Sequence, residues 1–130
     1  MTLDNLKTLF ANDLYATEVT GIEILEADTH FARCGLVVQR KHRNAMGAVM
    51  GGVMCTLADF AFAVAANSEA LEWVTMESTI HYLSAVPSER LTATTQCIKQ
   101  GGRTCFYEIA VTNEQGHLLA TVTTSGMRVK

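Results

Sequence analysis

The spacing of apolar residues changes along the chain between that of a helix and that of a strand, and these changes predict the order of its helices and strands. The first residues show helical spacing over polar neighbours, which predicts a short amphipathic N-terminal helix. Its apolar positions are Leu3, Leu6, Phe10 and Leu14. Next, residues 19–27 and 31–39 are rich in β-branched and apolar side chains, separated by Asp28 and Thr29. Such a pattern predicts two strands joined as a hairpin.

The longest apolar stretch of the chain, Ala48 to Asn67, predicts a helix that begins at the Gly51-Gly52 pair. A polar, glycine-bearing loop, residues 40–49, leads into it. Because the segment is apolar on every side, a helix formed by it has to be enclosed on all sides.

The rest of the chain alternates apolar and polar residues and is expected to supply the sheet that wraps this helix. The four segments that alternate are residues 73–85, 91–99, 104–112 and 118–128. The breaks between them hold Pro87, then Gly101 and Gly102, then residues 113–116, which predicts three meander-like turns and an antiparallel sheet. We therefore expect an α+β fold and a single domain over residues 1–130, a length that can bury a core.

Composition narrows the class of partners. The net charge is −3, with no basic stripe of the kind that phosphate backbones require, so nucleic acid is not expected as a partner. The apolar run approaches membrane-spanning length, but its glycine pair and the central Asp59 oppose insertion into a bilayer. The four cysteines form no CxxC pair, and the N-terminus lacks a signal-peptide pattern, which together predict reduced thiols in the cytoplasm.

Several common catalytic signatures are missing from the sequence. The four histidines match no metal-ligand spacing such as HExxH, so no metal is expected. There is no GxSxG elbow, no P-loop and no GxGxxG, which argues against the usual serine hydrolases and against nucleotide or dinucleotide cofactors.

Asp59 is the only charged residue of the long apolar stretch and is the first candidate for chemistry. A carboxylate in a packed core loses much of its hydration energy unless it finds partners. We expect Asn44 or a threonine to supply the hydrogen bond. The alternative is a purely structural carboxylate that a neighbouring Thr, Tyr or His satisfies.

Gly51 and Gly52 lie at the predicted N-terminus of the apolar helix, where free amides and the helix dipole favour negative charge. A carbonyl oxygen that gains charge could be held there, although a small residue is also needed where helix meets strand. Asp59 lies eight residues after Gly51, about 12 Å along the axis, so the two cannot flank one carbonyl group. If both serve one reaction, the site is shared across a two-fold dimer.

From about residue 19 onward, the chain resembles the hotdog-fold acyl-CoA thioesterases of the phenylacetate-degradation, PaaI-like group. The residues that carry the resemblance are His42, Asn44, Gly47, Met50, Gly51, Gly52, Leu57-Ala58-Asp59, Asn67 and the strand 75–83. The resemblance implies an antiparallel sheet around a long central helix and homodimers that often pair into tetramers. It also implies hydrolysis of acyl-CoA to free acid and CoA without a cofactor.

Carried over residue by residue, the resemblance makes Asp59 the nucleophile or the base that activates water. It assigns the Gly51 amide to the thioester carbonyl and Asn44 to placing the thioester or the attacking water. The further residues expected to contact substrate are His42, Met50, Gly52 and Thr75.

One departure from the family pattern concerns residue 50, where the family commonly has histidine before the two glycines. A thioether neither donates a hydrogen bond nor carries a proton at neutral pH, so help from an imidazole is absent. Met50 and Met54 are either core filler or the lining of an acyl pocket. The departure leaves a second function open, a non-catalytic acyl-CoA-binding or regulatory module.

Arg103 follows the glycines of a predicted hairpin turn and is either a solvated arginine or a contact for a phosphate of CoA.

Overall fold

The computed structural model describes all 130 residues, and its helices and strands follow the order that the apolar periods predict. The elements are α1 (Leu3–Phe10), a π-helical turn (Tyr15–Val19), β1 (Glu23–Asp28), β2 (Phe31–Val37), a 3₁₀ turn (Arg40–His42), α2 (Gly51–Ala66), β3 (Trp73–Tyr82), β4 (Arg90–Gln100), β5 (Thr104–Asn113) and β6 (Leu118–Arg128). One six-stranded sheet packs against α2, as expected for the α+β class. No helix has the length and apolarity needed to cross a membrane.

The strand order of the sheet is β1-β2-β4-β5-β6-β3, and every neighbouring pair is antiparallel. The antiparallel prediction is confirmed, but the three-turn meander is wrong in its first turn. β3 does not pair with β4, because β2 and β5 occupy both edges of β4. β3 instead pairs with β6 and forms an edge of the sheet, and residues 83–89 connect it to β4.

The N-terminal helix is shorter than predicted, and the first strand begins later. α1 ends at Phe10, and Leu14 is 55% exposed instead of extending the apolar face. The π-helical turn Tyr15–Val19 follows, so β1 begins at Glu23. A π-helical turn has a wider period than an α-helix, so apolar spacing read at 3.6 residues per turn does not continue through it.

Strand alternation places one face of the sheet in the core with α2. In β5, Tyr107 and Ile109 are buried, while Phe106 and Glu108 are exposed, as a period of two requires. Phe62 of α2 meets the Tyr107 ring edge to face, with 5.4 Å between the centroids. The core is therefore a single layer between the sheet and its central helix.

The composition of α2 predicts a helix that is enclosed on all sides, and this prediction is wrong for the isolated chain. Gly52, Cys55 and Asp59 are exposed and follow one face of α2. β3, beside this face, is buried only at Trp73 and is otherwise largely open on both of its faces. The isolated chain therefore leaves a strip uncovered, formed by the exposed face of α2 and by edge strand β3.

Asn67 joins the end of α2 to the start of β3. It is 2% exposed, and its Nδ2 donates to the carbonyls of Ala63 and Trp73. Its Oδ1 accepts from the backbone N–H groups of Glu72 and Trp73, at 2.8 and 2.7 Å. One side chain thus satisfies four backbone groups and sets the direction in which β3 leaves the helix.

Gly126 of β6 lies where α2, β3 and β5 meet. A Cβ at this position would lie 2.6 Å from Cζ of Phe62, 2.8 Å from the Val74 carbonyl oxygen and 2.9 Å from Sγ of Cys105. The helix therefore packs against the sheet at a distance that only glycine permits.

Replacing Gly126 with alanine is expected to destabilise the fold by about 1–3 kcal/mol, because the added methyl overpacks the helix–sheet contact. Gly102→Ala is the matched control, since a Cβ there meets nothing within 4 Å. Urea unfolding of both variants and of the wild-type protein provides the measurement. Equal stabilities of the two variants would contradict the close packing at Gly126.

Candidate active site

Asp59 lies on the exposed face of α2 and not in the packed core. The prediction that it is enclosed by apolar residues is wrong for the isolated chain, because α2 turns this face away from the sheet. Its expected hydrogen bond to a threonine is present: Oγ1 of Thr75 donates to Oδ1 of Asp59 at 2.8 Å. Asn44, the other expected partner, makes no contact of this kind with Asp59.

A cavity of about 330 Å³ opens beside this carboxylate on the strip between α2 and β3. Its lining residues are Cys55, Thr56, Asp59, Thr75, Ser78, Ile80 and Val122. The cavity therefore combines one carboxylate with hydroxyl and thiol groups on an otherwise apolar surface.

A second carboxylate, Asp13 in the segment after α1, interacts electrostatically with Asp59. Burial raises the pKa of Asp13, and the negative charge of Asp59 raises it further. The N-terminal segment thus places a proton-binding group within electrostatic reach of the candidate site.

Gly51 begins α2, as predicted, and its amide faces no protein acceptor. Met50 precedes it as the N-cap residue, and its side chain provides no capping hydrogen bond. A Cβ on Gly51 would lie 2.8 Å from both Cζ and Oη of Tyr82, so a larger residue at this position would have to displace the Tyr82 ring. At Gly52 a Cβ would meet nothing within 4 Å. The free N–H groups of this first turn can therefore receive an anionic oxygen.

Asn44 shapes the loop that leads to Gly51. Its Oδ1 accepts from the N–H groups of Met46 and Ala48, at 2.9 and 3.1 Å, and its Nδ2 has no protein partner. Asn44 and Gly51 line one cavity of about 500 Å³ together with Met54, one of the methionines considered for an acyl pocket. The loop thus presents an amide donor beside the helix N-terminus.

The structure places Asp59 with Thr75 in one cavity, and Gly51 with Asn44 in another. Gly51 and Asp59 are separated by about two turns of α2, as their spacing in the sequence implies. Within one chain they do not face a common point.

The other residues considered for substrate binding have different surroundings. His42 is 3% exposed; its Nδ1 accepts from the Gln39 N–H, so its Nε2 carries the proton and donates to the Thr20 carbonyl at 2.7 Å. Both ring nitrogens are therefore used in holding the loop. Met50 is about half exposed at the mouth of α2. Arg103 lies exposed in the β4–β5 turn without an ion pair.

The four cysteines are free thiols. Cys34 and Cys105 are buried, which raises the pKa of Cys34 to about 12 and that of Cys105 to about 11. Cys97 is partly buried, and Cys55 is exposed beside Asp59. No group of three or more His, Cys, Asp or Glu side chains is arranged to hold a metal ion.

Sequence reasoning missed two residues near these cavities, Asp13 and Tyr82. Asp13 falls in the break after α1, and only the tertiary fold brings it towards Asp59. Tyr82 is one more residue of an alternating strand, and nothing in its neighbours along the sequence indicates its contact with Gly51.

The family model of the Thioesterase superfamily matches residues 46–120 of the chain. The acyl-coenzyme A thioesterase PaaI of Escherichia coli (strain K12) is 35% identical over 117 residues, which are 89% of this chain and 83% of that protein. The family model includes α2, β3, β4 and β5 and ends within β6.

Solved structures agree with these matches. The E. coli PaaI protein from the phenylacetic acid degradation operon superposes with a TM-score of 0.86 at 30% identity, covering 99% of this chain and 97% of that one. A mutant of the phenylacetic acid degradation protein PaaI from Thermus thermophilus gives a TM-score of 0.81 at 27% identity, covering 87% and 97%. The predicted hotdog fold is confirmed.

The raised pKa of Asp13 predicts a titration that depends on Asp59. Removing the charge in Asp59→Asn is expected to lower the pKa of Asp13, which ¹³C NMR of the Asp13 carboxyl carbon measures directly. The folded protein binds this proton more tightly than the unfolded chain, so stability is lost as pH rises through the pKa of folded Asp13. Asp13→Asn should therefore raise Tm at pH 7, and the gain should vanish below pH ~3.8. An Asp13 titration unchanged in Asp59→Asn would contradict their proximity.

Proposed function

Because the chain belongs to the thioesterase superfamily, and within it to the PaaI-like group, we propose that it hydrolyses acyl-CoA thioesters with Asp59 as its reactive carboxylate. The E. coli relative is an acyl-coenzyme A thioesterase, and its match covers nearly the whole chain. The observation that carries the choice of residue is the Thr75–Asp59 hydrogen bond in a cavity on the uncovered strip.

Asp59 acts on the carbonyl carbon of the thioester. Either its carboxylate takes a proton from a water molecule whose oxygen attacks the carbon, or it attacks directly and forms an anhydride that water then hydrolyses. In both routes the C–S bond breaks, the electron pair leaves with sulfur and CoA is released as the thiol after protonation. Thr75 donates to Oδ1, which orients the carboxylate and leaves Oδ2 for the reaction.

The thioester carbonyl oxygen is bound at the N-terminus of α2. The Gly51 N–H donates to it, and the positive end of the helix dipole stabilises the charge that develops during attack. The free Nδ2 of Asn44 lies along the same cavity and positions the thioester or the water. These steps require no metal or cofactor.

The site is shared between two copies of the chain. Asp59 and Gly51 are separated by about 12 Å on one helix, so a carbonyl held at Gly51 is attacked by Asp59 of a second copy. The uncovered strip supports this arrangement, because α2 is apolar and β3 is an unpaired edge with exposed Val74 and Met76. Dimers of this kind can pair further into tetramers.

The substrate has an apolar acyl group and an anionic CoA portion. The cavity at Gly51 is lined by Met54, Leu83, Val86 and Leu119, and Met50, which precedes Gly51, is about half exposed. Apolar pockets discriminate by only about 1–3 kcal/mol per methylene, so several chain lengths are accepted. Arg103 is an exposed arginine without an ion pair and is suited to a phosphate of CoA.

Asp59→Asn is expected to lower kcat by about a hundredfold or more, because the amide neither accepts a proton from water nor attacks the thioester. Thr75→Val should lower kcat about tenfold, because the carboxylate loses its hydrogen bond. Thr75→Ser keeps a hydroxyl donor and should retain most activity. Thiol release from short, medium, long and aryl acyl-CoA provides the measurement, corrected for the exposed thiol of Cys55.

Asp4→Asn is the matched control, since Asp4 is an exposed acid in the first turn of α1. It should hydrolyse the panel at the wild-type rate. Wild-type turnover that persists in Asp59→Asn would contradict the assignment of the carboxylate. No turnover by the wild-type protein together with measurable acyl-CoA binding would instead support a binding module, in which Met50 replaces a needed histidine.

A further inference from the structure

The ring of Tyr82, at the end of β3, covers the N-terminus of α2. α2 and β3 run in opposite directions, so the last residue of the strand reaches the first turn of the helix. The Oη and Cζ atoms both lie 2.8 Å from the position that a Cβ of Gly51 would occupy. The hydroxyl is therefore next to the residue whose free N–H receives the carbonyl oxygen.

The Tyr82 hydroxyl has only a weak hydrogen-bond partner in the protein, the thiol of Cys55. Oη of Tyr82 lies 3.1 Å from Sγ of Cys55, one helical turn after Gly51. The hydrogen bond to Cys55, with contributions from burial and from the Cys55 charge, raises the pKa of Tyr82 to about 12. The phenol is thus a protonated donor at neutral pH, and a thiol sulfur is a poor acceptor for it.

Tyr82 also shares the cavity of about 500 Å³ with Gly51 and Asn44. The remaining walls of this cavity are mostly apolar, from Met54, Leu83 and Leu119. The cavity therefore combines a few hydrogen-bond donors with mostly apolar walls, a combination that is typical of sites that fix the polar group of a ligand.

We propose that the Tyr82 hydroxyl donates a hydrogen bond to the thioester carbonyl oxygen beside the Gly51 amide, so that Tyr82 is a second catalytic donor. The inference rests on the proposed thioesterase function and adds a residue to its site. An oxygen that gains negative charge is a stronger acceptor than a thiol, so the hydroxyl turns from Cys55 to the substrate. The phenol keeps its proton throughout, and no covalent bond to Tyr82 forms or breaks.

Tyr82→Phe keeps the ring against Gly51 and removes only the donor. Loss of one oxyanion donor commonly costs about 10²–10³ in kcat. Because Gly51 still donates, we expect kcat to fall at least about tenfold, while KM stays within about threefold. Tyr15→Phe is the matched control, because Tyr15 is 68% exposed and its hydroxyl has no hydrogen-bond partner. It should retain wild-type rates.

A spectroscopic measurement separates donation from packing. The acyl-CoA that is hydrolysed fastest is labelled with ¹³C at the carbonyl and bound to Asp59→Asn, with and without Tyr82→Phe. Because a hydrogen bond polarises the carbonyl, its infrared stretch should move to higher wavenumber when the phenol donor is removed. Thermal unfolding of each variant verifies that the protein remains folded.

The outcomes distinguish this inference from the proposed function. If the wild-type protein releases no thiol, the proposed function fails and Tyr82 has no such role. If the wild-type protein is active and Tyr82→Phe retains kcat within about twofold, the donor role alone is overturned. A slow variant whose carbonyl stretch does not move also overturns it, because the ring would then act through packing.

Discussion

The short distance between α2 and the sheet, together with the hydrogen bonds of Asn67, is the constraint on which the site depends. Asn67 fixes where β3 begins relative to the end of the helix. Gly126 allows α2 to pack closely against β6 near that end. With one end fixed, the antiparallel run of strand and helix brings Thr75 to Asp59 and carries Tyr82 to Gly51. Core packing thereby sets the spacing of polar groups on the opposite, exposed face of α2.

The uncovered strip combines features that a stable single chain avoids. An almost wholly apolar helix keeps one face open, and the strand beside it is an unpaired sheet edge with exposed apolar side chains. In the proposed dimer, these surfaces are buried against a second copy, and Asp59 of one copy lies beside Gly51 of the other. The same feature that leaves the isolated chain incomplete therefore supports a site at the boundary between two copies.

Local patterns predicted the main helices and strands, because the strands alternate with a period of two and α2 is a long uninterrupted apolar segment. The 16-residue α2 begins at the predicted glycine pair, and β6 has its predicted bounds. Pairing of β3 with β6, and not with β4, depends on contacts distant in sequence, which alternation does not reveal. Asp59 stands out by its charge alone, yet its exposure depends on which face of α2 the sheet covers. Asp13 and Tyr82 enter the site region only through the tertiary fold.

Mixing two inactive variants tests most directly whether the site is shared between chains. The variants are Asp59→Asn and Gly51→Val, whose added side chain would displace Tyr82 and obstruct the N-terminus of α2. Differently tagged, they are co-expressed or reassembled, and thiol release from acyl-CoA is compared with that of each variant alone. A shared site predicts recovery of about a quarter of wild-type activity, since half of randomly formed dimers are hybrids and each hybrid holds one intact site. Activity of the mixture no higher than the average of the separate variants would contradict a site built from two copies.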